Sequence, residues 1–307
     1  MMDIKIANIT NIFVMGIISF VLVGCGNTAS VTNEPAEAKK EMQQSSTTPV
    51  DMTTFHYYLR NLFSNEEGQY AVYVFFPDSH DQTPFIYQSK PMRSASMIKV
   101  FILASTLEAV KHDQLTLDQK VILKPSMKVG GSGQLNGWAD GTSIDLRTLL
   151  KLMITESDNT ATNIVIDLIG MDNINQYIAV HGYVDTKLQR KMMDLQAQEM
   201  GHENYTSVKD LGTYFSRVYA HQCIDERYDE IMRQLLLQQT DTECFPSALP
   251  SAIIAHKTGE LIGLYDDGGI IYTNHGNYIL CIMDDDISRD HAIDLMKQIA
   301  VKVDQKL

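Results

Sequence analysis

Three short groups of residues could together carry out covalent chemistry, and each occurs once, in a telling order. Ser96-Met97-Ile98-Lys99 puts a hydroxyl and an amine three residues apart at the head of a strongly apolar stretch. On a helix that spacing sets both side chains on one face, one turn apart. Ile98, Val100, Phe101 and Ile102 flank the lysine. Burial among them disfavours the ammonium, and a neutral amine can take the serine proton. The N–H of Ser96 and the start of its helix favour negative charge nearby. Alone, the pair more often marks an N-cap serine and a snorkelling lysine, since it arises by chance roughly once in a chain of this length. The companions change that balance.

Ser157-Asp158-Asn159 falls between two helical segments, where a polar tripeptide would also serve as a cap. Read as chemistry, Ser157 supplies a second hydroxyl that passes a proton to a departing nitrogen. Asn159 offers an amide to a substrate's acylamino group, and Asp158 braces the loop. Lys257-Thr258-Gly259 ends the apolar run Ala252-Ile-Ile-Ala-His256. A cation and a hydroxyl side by side suit a substrate carboxylate. Gly259 would let substrate approach the strand edge without meeting a Cβ. The N–H groups of Glu260 and Ser96 would then form an oxyanion hole. Each tripeptide is expected in few chains of this size, on the order of 0.05 occurrences. An active-site serine acyl-transfer enzyme follows.

Several elements must position these groups. Tyr70 to Phe76 and Phe85 to Gln88 read as strands joined by a turn region rich in Pro and Asp. Ser96 to about Lys111 is helical and apolar on nearly every side, as a central buried helix must be. Helical periodicity recurs over Leu146–Glu156, Thr160–Ile169, Met171–Val180, Val208–Ala220 and Asp225–Gln238. Strands are expected over Ala252–Thr258, Gly268–Tyr272 and Tyr278–Met283, then an amphipathic helix from about Ser288 to Lys302. Strands at both ends with helices between them predict an α/β (α+β) domain: one sheet built from both termini, flanked by helices, with an inserted helical subdomain.

The N-terminal segment reads differently. Ile12 to Gly24 is an apolar run interrupted only by Ser19, with Lys5 before it. A spanning helix needs about 20 apolar residues, so the run suits a secretory signal over residues 1–24. Leu22-Val23-Gly24-Cys25 resembles a bacterial lipobox, which implies lipid attachment at Cys25 and a membrane anchor. Residues 25–50 are rich in Thr, Ser, Glu, Lys and Gln and read as a flexible tether. The span 51–307 is ample for one large domain. The net charge of −13 offers no basic stripe for nucleic acid. Cys223, Cys244 and Cys281 form no CxxC pair, so a zinc site or disulfide framework is not expected. One bridge, Cys223 to Cys244, stays open. No metal or cofactor is implied, and a monomer is expected.

The three motifs resemble those of class A β-lactamases and the wider penicillin-binding-protein superfamily. The likeness extends over Met153–Asn163, His256–Gly259 and Gly268–Tyr272, and covers the chain from about Phe55 onward. It implies a β-lactamase/transpeptidase-like fold, an antiparallel sheet domain beside an all-helical one with the active site between them. It also implies a β-lactam or D-Ala-D-Ala-like substrate. One departure stands out. Class A enzymes carry Arg-x-Glu-x-x-Leu-Asn in the Ω loop, whose glutamate activates the deacylating water. Here Arg190 and Leu195 match, Met192 replaces the glutamate and Gln196 the asparagine. A thioether cannot take a proton from water. Asp194, Glu199 and Glu203 are the nearby carboxylates that could substitute. Glu260 also brings a charge where a small neutral residue is usual, and Gly268 stands where some members carry arginine. Three readings follow: a β-lactamase with slow hydrolysis, a D,D-carboxypeptidase or esterase acting on peptidoglycan stem peptides, and a β-lactam-binding lipoprotein without turnover.

Overall fold

The computed structural model describes residues 51–305. Five antiparallel strands form the main sheet in the order β2-β1-β9-β8-β7. β1 (Gln69–Phe75) and β2 (Phe85–Tyr87) come from one end of the span, β7 (Ile253–Leu261), β8 (Leu264–Thr273) and β9 (Gly276–Asp285) from the other. The register joins the two ends directly, with Val72 opposite Ile282 and Tyr73 opposite Cys281. Period-two alternation then splits each strand between two cores. Tyr70, Val72 and Val74 pack on the outer face with α1 (Met52–Leu62) and α10 (Arg289–Asp304). Ala71, Tyr73 and Met283 pack on the inner face against the inserted segment. β8 and β9 are therefore covered on both sides and are buried over most of their length, the β8 aspartates included.

The insertion begins after β3 (Met92–Arg93). A 3₁₀ turn over Ala95–Ile98 leads into α2 (Lys99–Lys111), the axis of the inner core. Val100 to Leu107 are all buried on α2, so no face of the helix is left for water. Around it stand α3 (Leu146–Thr155), α4 (Asn159–Ile169), α5 (Met171–Val180), α7 (Val208–Tyr219) and α8 (Glu226–Leu236), with short α6 (Leu195–Glu199) and α9 (Phe245–Ala248) in connecting segments. The subdomain is helical apart from two small ribbons. One pairs β4 (Lys120–Ile122) with β5 (Ser143–Asp145), the other β3 with β6 (Tyr205–Thr206).

Four findings adjust the sequence expectations. α1 was not anticipated, although Asp51 caps it by accepting from the N–H groups of Thr53 and Thr54, and Phe55 and Leu59 bury one turn apart. β7 continues to Leu261, so Lys257-Thr258-Gly259 lies inside a strand rather than at its end. The nucleophile candidate sits in a 3₁₀ turn, with the α-helix beginning only at Lys99. Cys223, Cys244 and Cys281 are all free and buried. Cys223 belongs to the inner core and Cys244 to the outer, so no bridge joins them. The expected signal, Cys25 and tether lie outside the described residues.

Candidate active site

The three motifs converge where the 3₁₀ turn, the α3–α4 junction and edge strand β7 meet. Ser96 is half-buried on the turn. The Lys99 N–H closes the turn on the Ser96 carbonyl. Ala95 just before it holds φ +41°, a conformation that costs free energy in a non-glycine residue. Behind the turn, Lys99 is fully buried. Its Nζ lies within hydrogen-bond distance of the Ser157 carbonyl (2.7 Å), Ser157 Oγ (3.0 Å) and Asn159 Oδ1 (3.0 Å).

Lys257 reaches the same hydroxyl from the opposite side. Its Nζ donates to Ser157 Oγ at 3.1 Å and to the Thr258 carbonyl at 2.7 Å. One hydroxyl oxygen thus stands between two buried amines, and Coulomb repulsion disfavours charging both. Burial, then the Lys257 charge, push the Lys99 amine well below the usual lysine range, against the opposing pull of Asp158. Burial brings Lys257 down to about 7, with Asp241 and Asp267 opposing. The Ser157 backbone is left-handed, φ +54°, and this is what aims its carbonyl and hydroxyl together at Lys99.

Asp158 holds the junction in place. It caps α4 by accepting from the Ala161 N–H (2.8 Å), and its second oxygen accepts from the Leu135 N–H (2.7 Å). That second bond pins the glycine-rich loop 129–134 against the site. Asn159 does the rest: its N–H donates to the Ser132 carbonyl (3.0 Å) and its Nδ2 to that of Gly130 (3.2 Å). Thr258 is nearly buried beside Lys257.

Two β7 residues make contacts that the sequence did not announce. A Cβ at Gly259 would come within 3.0 Å of Met97 Cγ, 3.2 Å of Ala95 Cβ and 3.3 Å of the Ser94 carbonyl. Its bare face lets the turn that carries Ser96 close onto the strand. Gly268, opposite Lys257, likewise abuts Met97 and Cys281. The Glu260 carboxylate pairs with Arg289 (3.2 Å), which also binds Glu243 (2.8 Å), so its charge is held by α10.

The Ω-loop segment is anchored at both levels. Arg190 donates to both Glu203 oxygens, Nε to Oε1 at 2.9 Å and Nη2 to Oε2 at 3.1 Å. Asn204 accepts from the N–H groups of Gln189 and Arg190. Asn163 clasps residue 192 from α4, donating to the Met192 carbonyl (3.0 Å) and accepting from its N–H (2.8 Å). The Met192 side chain is buried. Two of the three nearby carboxylates are engaged, and the third is exposed. Glu203 is paired with Arg190, Asp194 caps α6 through the Ala197 N–H, and Glu199 is exposed. Asn163 and the loop glycines had no role assigned from sequence. The Gly130-Gly131-Ser132-Gly133 cluster was their only signal.

The comparisons with known proteins bear on the family and the fold. The sequence model of the β-lactamase enzyme family matches residues 54–307. The extended-spectrum β-lactamase PER-1 of Pseudomonas aeruginosa is 23% identical over 216 residues, 66% of this chain and 67% of its own. A β-lactamase structure from Sphaerobacter thermophilus superposes with a TM-score of 0.75 at 24% identity, covering 84% of this chain and 97% of that one. A mutant of PBP-A, in acyl-enzyme complex with penicillin G, gives 0.76 at 25% identity, covering 83% and 97%. With its sheet, its inserted helices and its three motifs brought together at one place, this chain belongs to the β-lactamase enzyme family, a serine hydrolase of the β-lactamase and PBP superfamily.

Proposed function

We propose that the protein is a class A-type serine hydrolase that forms an acyl-enzyme on Ser96 with β-lactams and releases it slowly. The observation that carries this reading is the Ser157 hydroxyl held between Lys99 and Lys257 beside the Ser96 turn. Ser96 Oγ attacks the lactam carbonyl, and its proton goes to the neutral Lys99 amine. The oxyanion meets the N–H groups of Ser96 and Glu260, the latter on an edge strand with backbone groups unpaired by the sheet. As the C–N bond breaks, Ser157 delivers a proton to the leaving nitrogen and draws one from the lysines behind it. Lys257 and Thr258 hold the substrate carboxylate while Asn159 holds the acylamino group. Only the N–H of Glu260 serves the site; its carboxylate stays with Arg289.

Slow release is supported by the buried thioether of Met192 and by the engagement of Glu203 and Asp194. The same observation favours a second reading, a D,D-carboxypeptidase or esterase acting on peptidoglycan stem peptides. A β-lactam-binding lipoprotein without turnover is the third. The signal and lipobox at Cys25 make export and a lipid anchor at the outer face of a bacterial membrane part of the proposal, together with a monomeric state.

Intact mass of the full chain, followed over time with benzylpenicillin, tests it. A covalent adduct is expected that is absent in Ser96→Ala. Continued drug loss indicates a β-lactamase, and a persistent adduct indicates penicillin-binding behaviour. An adduct that survives Ser96→Ala would sink the nucleophile assignment.

A further inference from the structure

Arg93 lies on β3, just ahead of the turn that carries Ser96, and its guanidinium grips Asp285 at the end of β9. Nε donates to Oδ1 at 3.1 Å and to Oδ2 at 3.0 Å, and Nη2 donates to Oδ1 as well. A planar fork on both oxygens fixes direction as well as distance. Ser94 follows, its N–H on the Asn204 carbonyl at 2.8 Å, and Ala95 then holds φ +41°. Such a strained turn keeps its shape only while its surroundings hold it.

The sheet under this clamp is acidic. β8 and β9 pair from Thr273 opposite Gly276 to Asp267 opposite Ile282, and there the ladder stops. Beyond it Asp266 Oδ1 accepts from the Asp284 N–H and Asp284 Oδ1 from the Tyr265 N–H, each at 3.1 Å, in place of backbone pairing. The second oxygen of each is buried without a hydrogen-bond partner among the described residues. Asp266 stands opposite Gly259, which packs against the Ser94 carbonyl and Ala95. Asp266, Asp284 and Asp285 therefore crowd the base of the turn. Asp286, Tyr70 and the Arg190-paired Glu203 lie around them, and the Arg93 guanidinium faces the group.

We infer that Arg93 is a positioning residue for Ser96: its guanidinium offsets the carboxyl groups at the end of β8 and β9 and so holds the foot of the turn against the sheet. This rests on the acylation reading above. Like charges repel most strongly where water is excluded. Burial brings Asp284 to about 7, so below that pH its carboxyl is neutral, and above it one more negative charge presses on the turn. The cation is therefore needed most on the alkaline side.

The test measures second-order rates of Ser96 acylation by benzylpenicillin in the full chain, read by intact mass. Each variant is divided by the parent at the same pH, at about pH 6 and about pH 8.5, which cancels the titration of Lys99 and Lys257. Arg93→Gln should fall about three- to tenfold further behind the parent at the higher pH. Arg93→Lys keeps the charge and loses the fork, so it should lag equally at both. Adding Asp284→Asn to Arg93→Gln should bring the quotient level again, which a role in packing alone would not do. Where Arg93→Gln does not fold, the same double variant should recover the fold, and its failure would count against the inference. A level quotient for Arg93→Gln, or a slope that Asp284→Asn leaves in place, would overturn this inference alone. Absence of any Ser96 adduct in the parent would overturn the acylation reading and this inference with it.

Discussion

Ser157 shows how much chemistry one hydroxyl can take from its surroundings. It accepts from Lys99 at 3.0 Å and from Lys257 at 3.1 Å, so the state of either amine bears on the other. The pairing of Ser96 with Lys99 and the two later motifs were legible in the sequence because each is a short string of rare composition. The direction in which a side chain points was not. Gly259 faces the nucleophile turn, and Glu260 is tied to Arg289 on a helix nearly thirty residues later, a contact no local pattern announces. Met192 was legible as a missing base, and the structure adds that its backbone is already held by Asn163. Met192→Glu should therefore hasten deacylation, since the clasp acts through the backbone and survives the substitution. The expected outcome is an adduct half-life at least about tenfold shorter, a change of roughly 1.4 kcal/mol in barrier. Mass time courses with benzylpenicillin check it. An unchanged half-life would put the assignment of residue 192 in trouble.

At the scale of elements, the periodic segments were readable and the irregular ones were not. α2 announced itself as buried by its lack of a polar face, and α3, α4, α5, α7 and α8 by their amphipathic spacing. The Ω loop and loop 129–134 have no period, and side-chain bonds to distant backbone shape them. The neck of the Ω loop illustrates this. Glu203 accepts from Arg190 and from the Asn204 N–H, while the Asn204 carbonyl accepts from the Ser94 N–H at 2.8 Å. One buried ion pair thus supports both the loop and the turn that carries Ser96. Removing one member leaves the other charged and unpaired in a nearly dry place. Glu203→Ala should cost about 3–5 kcal/mol in denaturant unfolding. It should also slow acylation, because the Ser94–Asn204 bond loses its support. A loss below about 1 kcal/mol would mean the pair is dispensable.

The molecule as a whole carries a second buried charge problem. Asp266 and Asp284 are almost wholly buried, and one oxygen of each lacks a hydrogen-bond partner among the described residues. Burial, then mutual repulsion, raise Asp266 well above the carboxylate range; burial, then Asp285, bring Asp284 to about 7. The folded state therefore binds more protons than the unfolded chain between about pH 4 and 7, and stability falls as pH rises through that window. The depressed lysines act in the opposite sense. For Lys257 the unfolded chain holds the proton more strongly from about pH 7 up to the ordinary lysine range, so its contribution to stability rises there. A plot of Tm against pH should show a trough near neutrality, and Asp284→Asn should flatten its acid side. A monotonic curve would contradict this account.

The sheet joins β1 to β9 across about 200 residues of chain, so neither half of it can close until the last strand exists. A ribosome adding about 5–20 residues per second makes Ser96 long before it makes Lys257. For that interval the nucleophile has no second amine, no strand edge and no finished turn. On the acylation reading proposed above, the growing chain lacks a complete site until β7 and the final hairpin dock.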